Sequence, residues 1–427
     1  MPDYDDSSKQ LSLVHQAVVG DDAHTTELRH SDNPPHVPEL SEDSGLPRPS
    51  SKADRLEFFL PISGFVWLYP EERAVVDHPA FQRLARIYQL GQSYFVFRGA
   101  THKRFEHVLG AVHVVQRMIS AVGMNAEKLE KEASPFYAPK LSDYEERFVR
   151  LGTLLHDIGH IAAGHTVEDE LGLVSKHDED ERLNIVINNS LNIKWLADSH
   201  GRSLGQLIDE EYALWTQKSG LEHAGFSAST LVRLLIRKPA KDSDIYSEIE
   251  SYIMASDKFR LSSCRDMIGN TICADILDYI YRDWYHVGKP RPFDDRLLQY
   301  MELRRARTAN PRFRTDIEAD DQFVIFLGKP PKIRSDAVSH ILELLEWRYS
   351  LAEIVLFHRT KLAAAAMLDR AFYELWGDGP GENEIIKFFL PLSDEEMLSK
   401  CYELAKERIS KAKAADDKDR YQAAVFV

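Results

Sequence analysis

Four side chains scattered through this 427-residue chain have the types needed to hold a divalent metal ion. The run Leu151-Gly-Thr-Leu-Leu-His156-Asp157-Ile-Gly-His160-Ile-Ala-Ala-Gly-His165 ends an apolar helical stretch in an adjacent His-Asp pair, and two further histidines follow across Gly159 and Gly164. Upstream, Thr101-His-Lys-Arg104-Phe-Glu-His107 opens a second apolar-periodic stretch. Downstream, Cys273-Ala-Asp275-Ile-Leu-Asp278-Tyr279-Ile-Tyr-Arg282-Asp283 sets Asp275, Tyr279 and Asp283 at steps of four, on one face of a helix. Imidazole nitrogens and carboxylate oxygens suit zinc, iron, manganese or nickel. His107, His156, Asp157 and Asp275 thus form a two-His, two-carboxylate set. Such a set leaves open positions on an ion, where a water becomes acidic enough to attack phosphorus near neutral pH. The competing reading is structural: His-Asp dipeptides are common by chance, and His107 and His156 could be core histidines satisfied by Asp157 and Asp275.

Chemistry on a phosphate also needs charge stabilisation and an acid for the leaving oxygen. The histidines outside the metal set, His160, His165 and His177, are the candidates. For His177, in a Lys-His-Asp-Glu context, a surface histidine is the competing reading. Arg104, three residues before His107, offers a planar, permanently charged fork for phosphate.

The elements that must position these residues read as helices. Asp77 before His78-Pro79 predicts a capped helix running to Leu90-Gly91, and a second helix starts near Thr101 and runs towards Val122. Residues 123–143, polar with Pro135 and Pro139, read as a loop, followed by a central helix from Tyr144 to His156. The acids Glu168, Asp169 and Glu170 begin a further helix. A long helix covers Asp336 to Trp376 without interruption, and the charged segment after Ser393 is helical to about Ala414. Leu56 to Leu68 reads as a hairpin around Pro61 and Gly64, and Phe323–Leu327 with Gly328-Lys-Pro-Pro as a strand and turn. The predicted class is all-α with small β excursions, with no internal repeat.

Composition bounds the function. A 44% hydrophobic chain of this length buries a large core. The net charge of -15 argues against a nucleic-acid partner, since backbone binding rests on many Lys and Arg releasing counterions. The cluster Arg304, Arg305, Arg307, Arg312 and Arg314 then reads as a solvated or subunit-facing patch. Cys264, Cys273 and Cys401 lack metal or redox spacing and read as reduced thiols. With no apolar signal core and no run of membrane-spanning length, the expectation is a cytoplasmic protein without a membrane partner. Residues 1–53, rich in Ser, Asp, Pro and His, read as a flexible tail in which His15, His24, His30 and His36 are scattered and solvated.

The order His…His-Asp…Asp, together with Phe81-Gln-Arg-Leu-Ala-Arg-Ile-Tyr-Gln-Leu-Gly91, Thr101–His107 and Asp278-Tyr-Ile-Tyr-Arg-Asp283, resembles the HD-domain metal-dependent phosphohydrolases. Within them it is most similar to the deoxynucleoside triphosphate triphosphohydrolase branch. The resemblance implies an HD domain over 54–290 and a C-terminal helical lobe over 291–427 that completes the site and supplies a homo-oligomer interface. It implies one divalent transition metal on His107, His156, Asp157 and Asp275, with room for additional Mg on the nucleotide. The implied reaction converts deoxynucleoside triphosphate to deoxynucleoside and inorganic triphosphate. By position, His160, His165 and His177 contact phosphate, and His165 protonates the departing 5′-oxygen with help from Glu168, where the family commonly has Asp. Arg104, Arg348 and Arg359 (a lysine in the family) hold phosphates. Gln89 and Leu90 touch the sugar, Tyr279 excludes a 2′-hydroxyl, and Asp283 accepts the 3′-hydroxyl; an ordinary helix end is the rival reading of Leu90.

The departures carry weight too. The family's phosphate-binding lysine after the metal aspartate is Ile276, and its His and Tyr near the base and sugar become Ala352 and Leu356. Of the nucleotide-activation site only Asp77 and Gln82 match. Ala85 replaces the guanine-contacting arginine and Leu56-Glu-Phe-Phe59 lacks the usual Lys and Asn, so no dGTP-type activation is expected there. These losses keep two alternatives open. One is an HD phosphohydrolase acting on nucleotide monophosphates or another phosphoester. The other, from a different class, is a nucleotide- or nucleic-acid-binding protein with a structural metal site.

Overall fold

A computed structural model describes residues 56–170, 172, 174–219, 227–237, 259–292, 295–305, 321–329, 332–376 and 381–414. The expected tail over 1–53 with its four histidines, and Arg307, Arg312 and Arg314, lie outside the described residues.

The aromatic and β-branched run at the start of the described chain folds as expected. Leu56–Leu60 (β1) pairs antiparallel with Gly64–Leu68 (β2), from Leu56 opposite Leu68 to Leu60 opposite Gly64. Pro70–Asp77 (α1) starts with proline, whose missing N–H costs nothing in a first turn. The next helix departs from expectation. His78, not Asp77, caps it: its Nδ1 accepts the Ala80 N–H at 3.2 Å. Pro79–Gln82 (α2) passes into a 3-10 turn over Arg83–Arg86 and stops well short of Leu90. The reason is a rival set of backbone partners: Arg104 N–H donates to the Ile87 carbonyl and Gln89 N–H to that of His102, both at 3.0 Å. Ile87 is drawn into extended backbone, and Tyr88 bridges Lys103.

Arg104–Lys131 (α3) begins later than Thr101 and runs past Val122 into the stretch read as a loop. Asn125-Ala-Glu-Lys-Leu-Glu-Lys131 is rich in good helix formers, and Ala126 and Leu129 are still buried, so polarity there marks an exposed helical face and not a break. Asp143–Leu155 (α4) is capped reciprocally by Ser142 and Glu145 and ends at His156. Asp180–Ile187 (α5), Leu204–Ser219 (α6), Ala228–Ile236 (α7), Leu261–Ile268 (α8) and Ala274–His286 (α9) complete the principal helices.

The α3 helix packs between α4 and α9, and α7 and α8 cover the far side of α4. Val108, Leu109, Val112, Val115 and Met118 of α3 are completely buried. Each such side chain contributes about 1.5–3 kcal/mol relative to exposure. This packing sets the metal residues: His107 leaves α3, His156 and Asp157 follow α4, and Asp275 opens α9.

Met301–Arg305 (β3) pairs antiparallel with Asp321–Ile325 (β4), and Gly328–Lys329 (β5) with Lys332–Ile333 (β6). Ser335–Leu351 (α10) and Arg359–Trp376 (α11) stand where one uninterrupted helix was expected. Between them Ala352–Leu356 forms a π turn closed by Phe357 N–H on the Ala352 carbonyl at 2.8 Å, and no Pro or Gly marks the break. Glu382–Phe389 (α12) and Asp394–Ala414 (α13) follow, the latter ending where expected. The acids after His165 do not start an α-helix; Thr166–Glu170 is a single π turn. The mainly helical fold with small two-stranded excursions is as expected. All three cysteines are buried and unpaired. Among the described residues no helix is long and apolar enough to cross a membrane.

Candidate metal centre

The four expected ligands converge. His107 Nε2 lies 3.1 Å from His156 Nε2, 3.2 Å from Asp275 Oδ1 and 3.8 Å from Asp157 Oδ2. His156 Nε2 lies 3.5 Å from both Asp275 Oδ1 and Asp157 Oδ1. Ligands about 2.1 Å from one ion sit roughly 3.0 Å apart at a right angle and roughly 3.4 Å apart at a tetrahedral one. The spacings of 3.1 to 3.5 Å have that size, and the 3.8 Å from His107 to Asp157 is longer.

The outer partners explain why the two rings face each other. Asp278 Oδ2 accepts the His107 Nδ1–H at 2.9 Å, and the Thr153 carbonyl accepts the His156 Nδ1–H at 2.7 Å. Each ring therefore turns its Nε2 inward. Two Nε2 atoms at 3.1 Å, flanked by two carboxylates, call for positive charge among them: a metal ion or, without one, a proton on His107. This donor set fits a divalent transition metal, and it disfavours the reading of His107 and His156 as ordinary core histidines. Burial alone would depress His107, but Asp275, Asp278 and Asp157 outweigh it and hold its pKa up at about 10. His156 is likewise raised against burial by Asp157 and Asp275. Both metal carboxylates are shifted down: burial opposes this, and the histidines, with Arg104 at Asp157, prevail.

Asp278 had no role in the reading of the sequence. Besides His107 it accepts from Arg282 Nε at 2.8 Å and Nη2 at 2.7 Å. Gly110 on α3 makes room for this pair, because a Cβ there would collide with both Asp278 and the Arg282 guanidinium.

Against the metal set stands a wall of imidazoles. His160, almost wholly buried, stacks on His177 with ring centroids 3.5 Å apart, and neither of its nitrogens has a hydrogen-bond partner. Burial, Arg104 and His177 push its pKa far down, so the ring is neutral. His177 Nδ1 bonds Glu168 Oε2 at 2.9 Å, which brings this histidine into the site and not to the surface. His165 is 54% exposed and its Nδ1 bonds Asp169 Oδ2 at 2.9 Å. Here the structure corrects the expectation: the carboxylate beside His165 is Asp169, while Glu168 serves His177 and lies 3.5 Å from Arg182. Both acids lie in the π turn at 166–170, Glu168 three residues and Asp169 four residues after His165.

Arg104 is buried, and its Nη1 donates to Asp157 Oδ2 at 2.7 Å. Two buried arginines not singled out before hold the turn after Asp157. Arg83 donates to the carbonyls of Ile158 and His160, and Arg182 to that of Ser175 at 2.9 Å. Nothing local in the sequence marks either.

The remaining expected residues are placed unevenly. Tyr279 lies beside Asp275, its hydroxyl pushed up to about 12 by burial although Arg348 beside it acts in the opposite sense. The side-chain carbonyl of Gln89 is buried without a partner, while Leu90 is packed into the core. Asp283 Oδ1 accepts the His102 Nε2–H at 2.7 Å. Arg359 is exposed on the first turn of α11. Ile276 is core, and Gln82 spends its amide on the Val76 carbonyl at 2.7 Å.

No protein-family model matches the chain. Curated relatives do. The deoxynucleoside triphosphate triphosphohydrolase SAMHD1 homolog of Dictyostelium discoideum is 27% identical over 304 residues, 70% of this chain and 45% of that protein. Deoxynucleoside triphosphate triphosphohydrolase SAMHD1 of Homo sapiens is 27% identical over 241 residues, 55% of this chain and 34% of its own length. An uncharacterized protein of Bacillus subtilis (strain 168), YwfO, is 39% identical over 88 residues, 21% of this chain and 18% of that one. The chain thus spans less than half the length of these relatives. With its His and Asp side chains gathered as described, the chain is similar to the deoxynucleoside triphosphate triphosphohydrolases over more than half of its length.

Proposed function

We propose that this protein hydrolyses deoxynucleoside triphosphates to deoxynucleoside and inorganic triphosphate. The observation that carries the reading is the pair of inward-facing Nε2 atoms, oriented by Asp278 and the Thr153 carbonyl and flanked by Asp157 and Asp275, directly against the histidine wall. His107, His156, Asp157 and Asp275 would hold a divalent transition metal. When bound, that ion supplies Lewis acidity and makes neighbouring water a better nucleophile.

The chain's own residues supply the rest. Arg104, already inside the site, offers its guanidinium to phosphate oxygens. Neutral His160, whose nitrogens lie 3.5 Å from Asp157 and 3.7 Å from Glu168 but make no hydrogen bond, donates an N–H to another. His165 is anchored through Nδ1 by Asp169, which leaves Nε2 free to pass a proton to the departing 5′-oxygen. Tyr279 and Arg348 line the sugar and phosphate side, and Gln89 offers its unpartnered carbonyl.

One observation favours a second reading. Ile276, buried beside Asp275, brings no cation where the related enzymes have lysine, which suits a substrate with fewer phosphates. The test is to incubate metal-loaded protein with each dNTP, NTP and dNMP and identify the products by mass. Inorganic triphosphate release from dNTPs supports the proposal. Release of monophosphate from dNMPs alone supports the second reading, and no turnover of any nucleotide overturns both.

A further inference from the structure

Asp394, the first residue of α13, is buried and lies far along the chain from every residue of the site. Its two oxygens nevertheless go to two site segments. Oδ1 accepts the Ala163 N–H at 2.9 Å and Oδ2 the Tyr88 N–H at 2.8 Å. Ala163 belongs to the loop between His160 and His165, and Tyr88 immediately precedes Gln89 and Leu90. We propose that Asp394 is a positioning residue, which fixes the loop carrying His165 and the turn carrying Gln89 relative to each other.

The loop needs such a hold. Ala163 sits at φ 59 and Gly164 at φ 22, and a left-handed alanine persists only where its surroundings over-determine it. The local bonds are few: Gly164 N–H to the Ile161 carbonyl at 3.0 Å and Thr166 N–H to that of Ala163 at 2.8 Å. The Ala163 N–H has Asp394 as its acceptor.

The neighbours of Asp394 make the attachment deliberate. Glu395 lies 3.7 Å from Lys103, whose ammonium sits 3.1 Å from the centre of the Tyr88 ring, and Glu396 pairs with Arg86. Ser393 and Glu396 cap the helix reciprocally, at 2.8 Å and 3.1 Å, which fixes the direction of the Asp394 carboxylate. Three successive acids at the start of α13 thus meet two backbone N–H groups and two cations on the catalytic half.

The inference rests on the proposed function only in its kinetic readout, so the test has two arms. Hydrogen exchange is measured first, on the full chain carrying Asp394→Asn or Asp394→Ala. Alanine removes both acceptors: amides in 161–165 and 88–90 are expected to exchange about tenfold faster, a net hydrogen bond's worth, with α3 and α9 unchanged. Asparagine keeps one acceptor, so one segment loosens. In the kinetic arm the loosened segment dictates the parameter that moves: kcat for 161–165, KM for 88–90, with metal content unaltered. Unchanged exchange in both segments of Asp394→Ala overturns the proposal, as does equal acceleration across α3 and α9. If the wild-type protein turns over no nucleotide, the proposed function falls while exchange still decides Asp394.

Discussion

Replacing Asp278 by Asn tests whether the metal centre is oriented from outside its ligands. The Asp278 carboxylate receives only donors: His107 Nδ1 at 2.9 Å and Arg282 Nε and Nη2 at 2.8 and 2.7 Å. An amide has one acceptor oxygen, so its NH₂ faces Arg282 Nη2 alone in the Oδ1 place, or both Arg282 Nε and His107 Nδ1 in the Oδ2 place. Either way a buried guanidinium loses its charge partner, which costs about 3–5 kcal/mol. In the second orientation the His107 ring takes up the other tautomer, Nε2 carries the proton, and the nitrogen can no longer bind an ion. Loss of such an outer partner lowers metal affinity about 10- to 100-fold, or roughly 1.4–2.7 kcal/mol. The assay is calorimetric titration of metal-free protein with Mn²⁺ or Zn²⁺, alongside thermal unfolding without metal. Asp283→Asn, on the same helix but bonded to His102, is the comparator and should leave affinity unchanged. A folded Asp278→Asn protein that binds metal as tightly as wild type would refute the orientation argument.

Other outcomes follow from the same geometry. His156→Ala should strip the metal, and stoichiometric metal by elemental analysis in that variant would defeat the ligand assignment. Arg150→Ala should cost about 3–5 kcal/mol in urea unfolding, because Glu72, 2.7 Å away, is left buried and charged; a loss under about 1 kcal/mol would contradict this. His286, pushed down to about 4 by burial, His102 and Arg282, stays neutral in the fold while the unfolded chain takes up a proton near 6.5. Its contribution is therefore complete above pH 6.5 and is lost as pH falls towards 4. His286→Phe should flatten the decline of Tm over that window relative to wild type, and an unchanged slope would count against the assignment. Gly110→Ala should give poorly folded protein, since its methyl collides with Asp278 and Arg282; a wild-type melting curve would show that the pocket yields.

The convergence of His107, His156, Asp157 and Asp275 was legible because few residue types bind such ions, and because the helices that carry them have clear apolar periodicity. Element ends were less so. The helix after Pro79 stopped early because Arg104 and His102 compete for its backbone, a contact between segments that no local pattern announces. Extension of α3 to Lys131 was missed because polar residues were read as a loop although they are strong helix formers. The π turns at 166–170 and 352–356 left no Pro or Gly signal, and nothing local distinguishes Asp169, which bonds His165, from the adjacent Glu168. Arg83 and Asp394 act on backbone groups far off in sequence, so only the folded chain could reveal them.

The distance along the chain between Asp394 and the loop it fastens has a consequence for biosynthesis. Asp394 emerges roughly 120 residues after Asp275, about 6–24 s later at ordinary rates of translation. A nascent chain can therefore gather its four ligands and capture an ion while the His165 loop still lacks its anchor. On the proposed function, assembly of the metal centre would precede competence for turnover, which waits until α13 has docked.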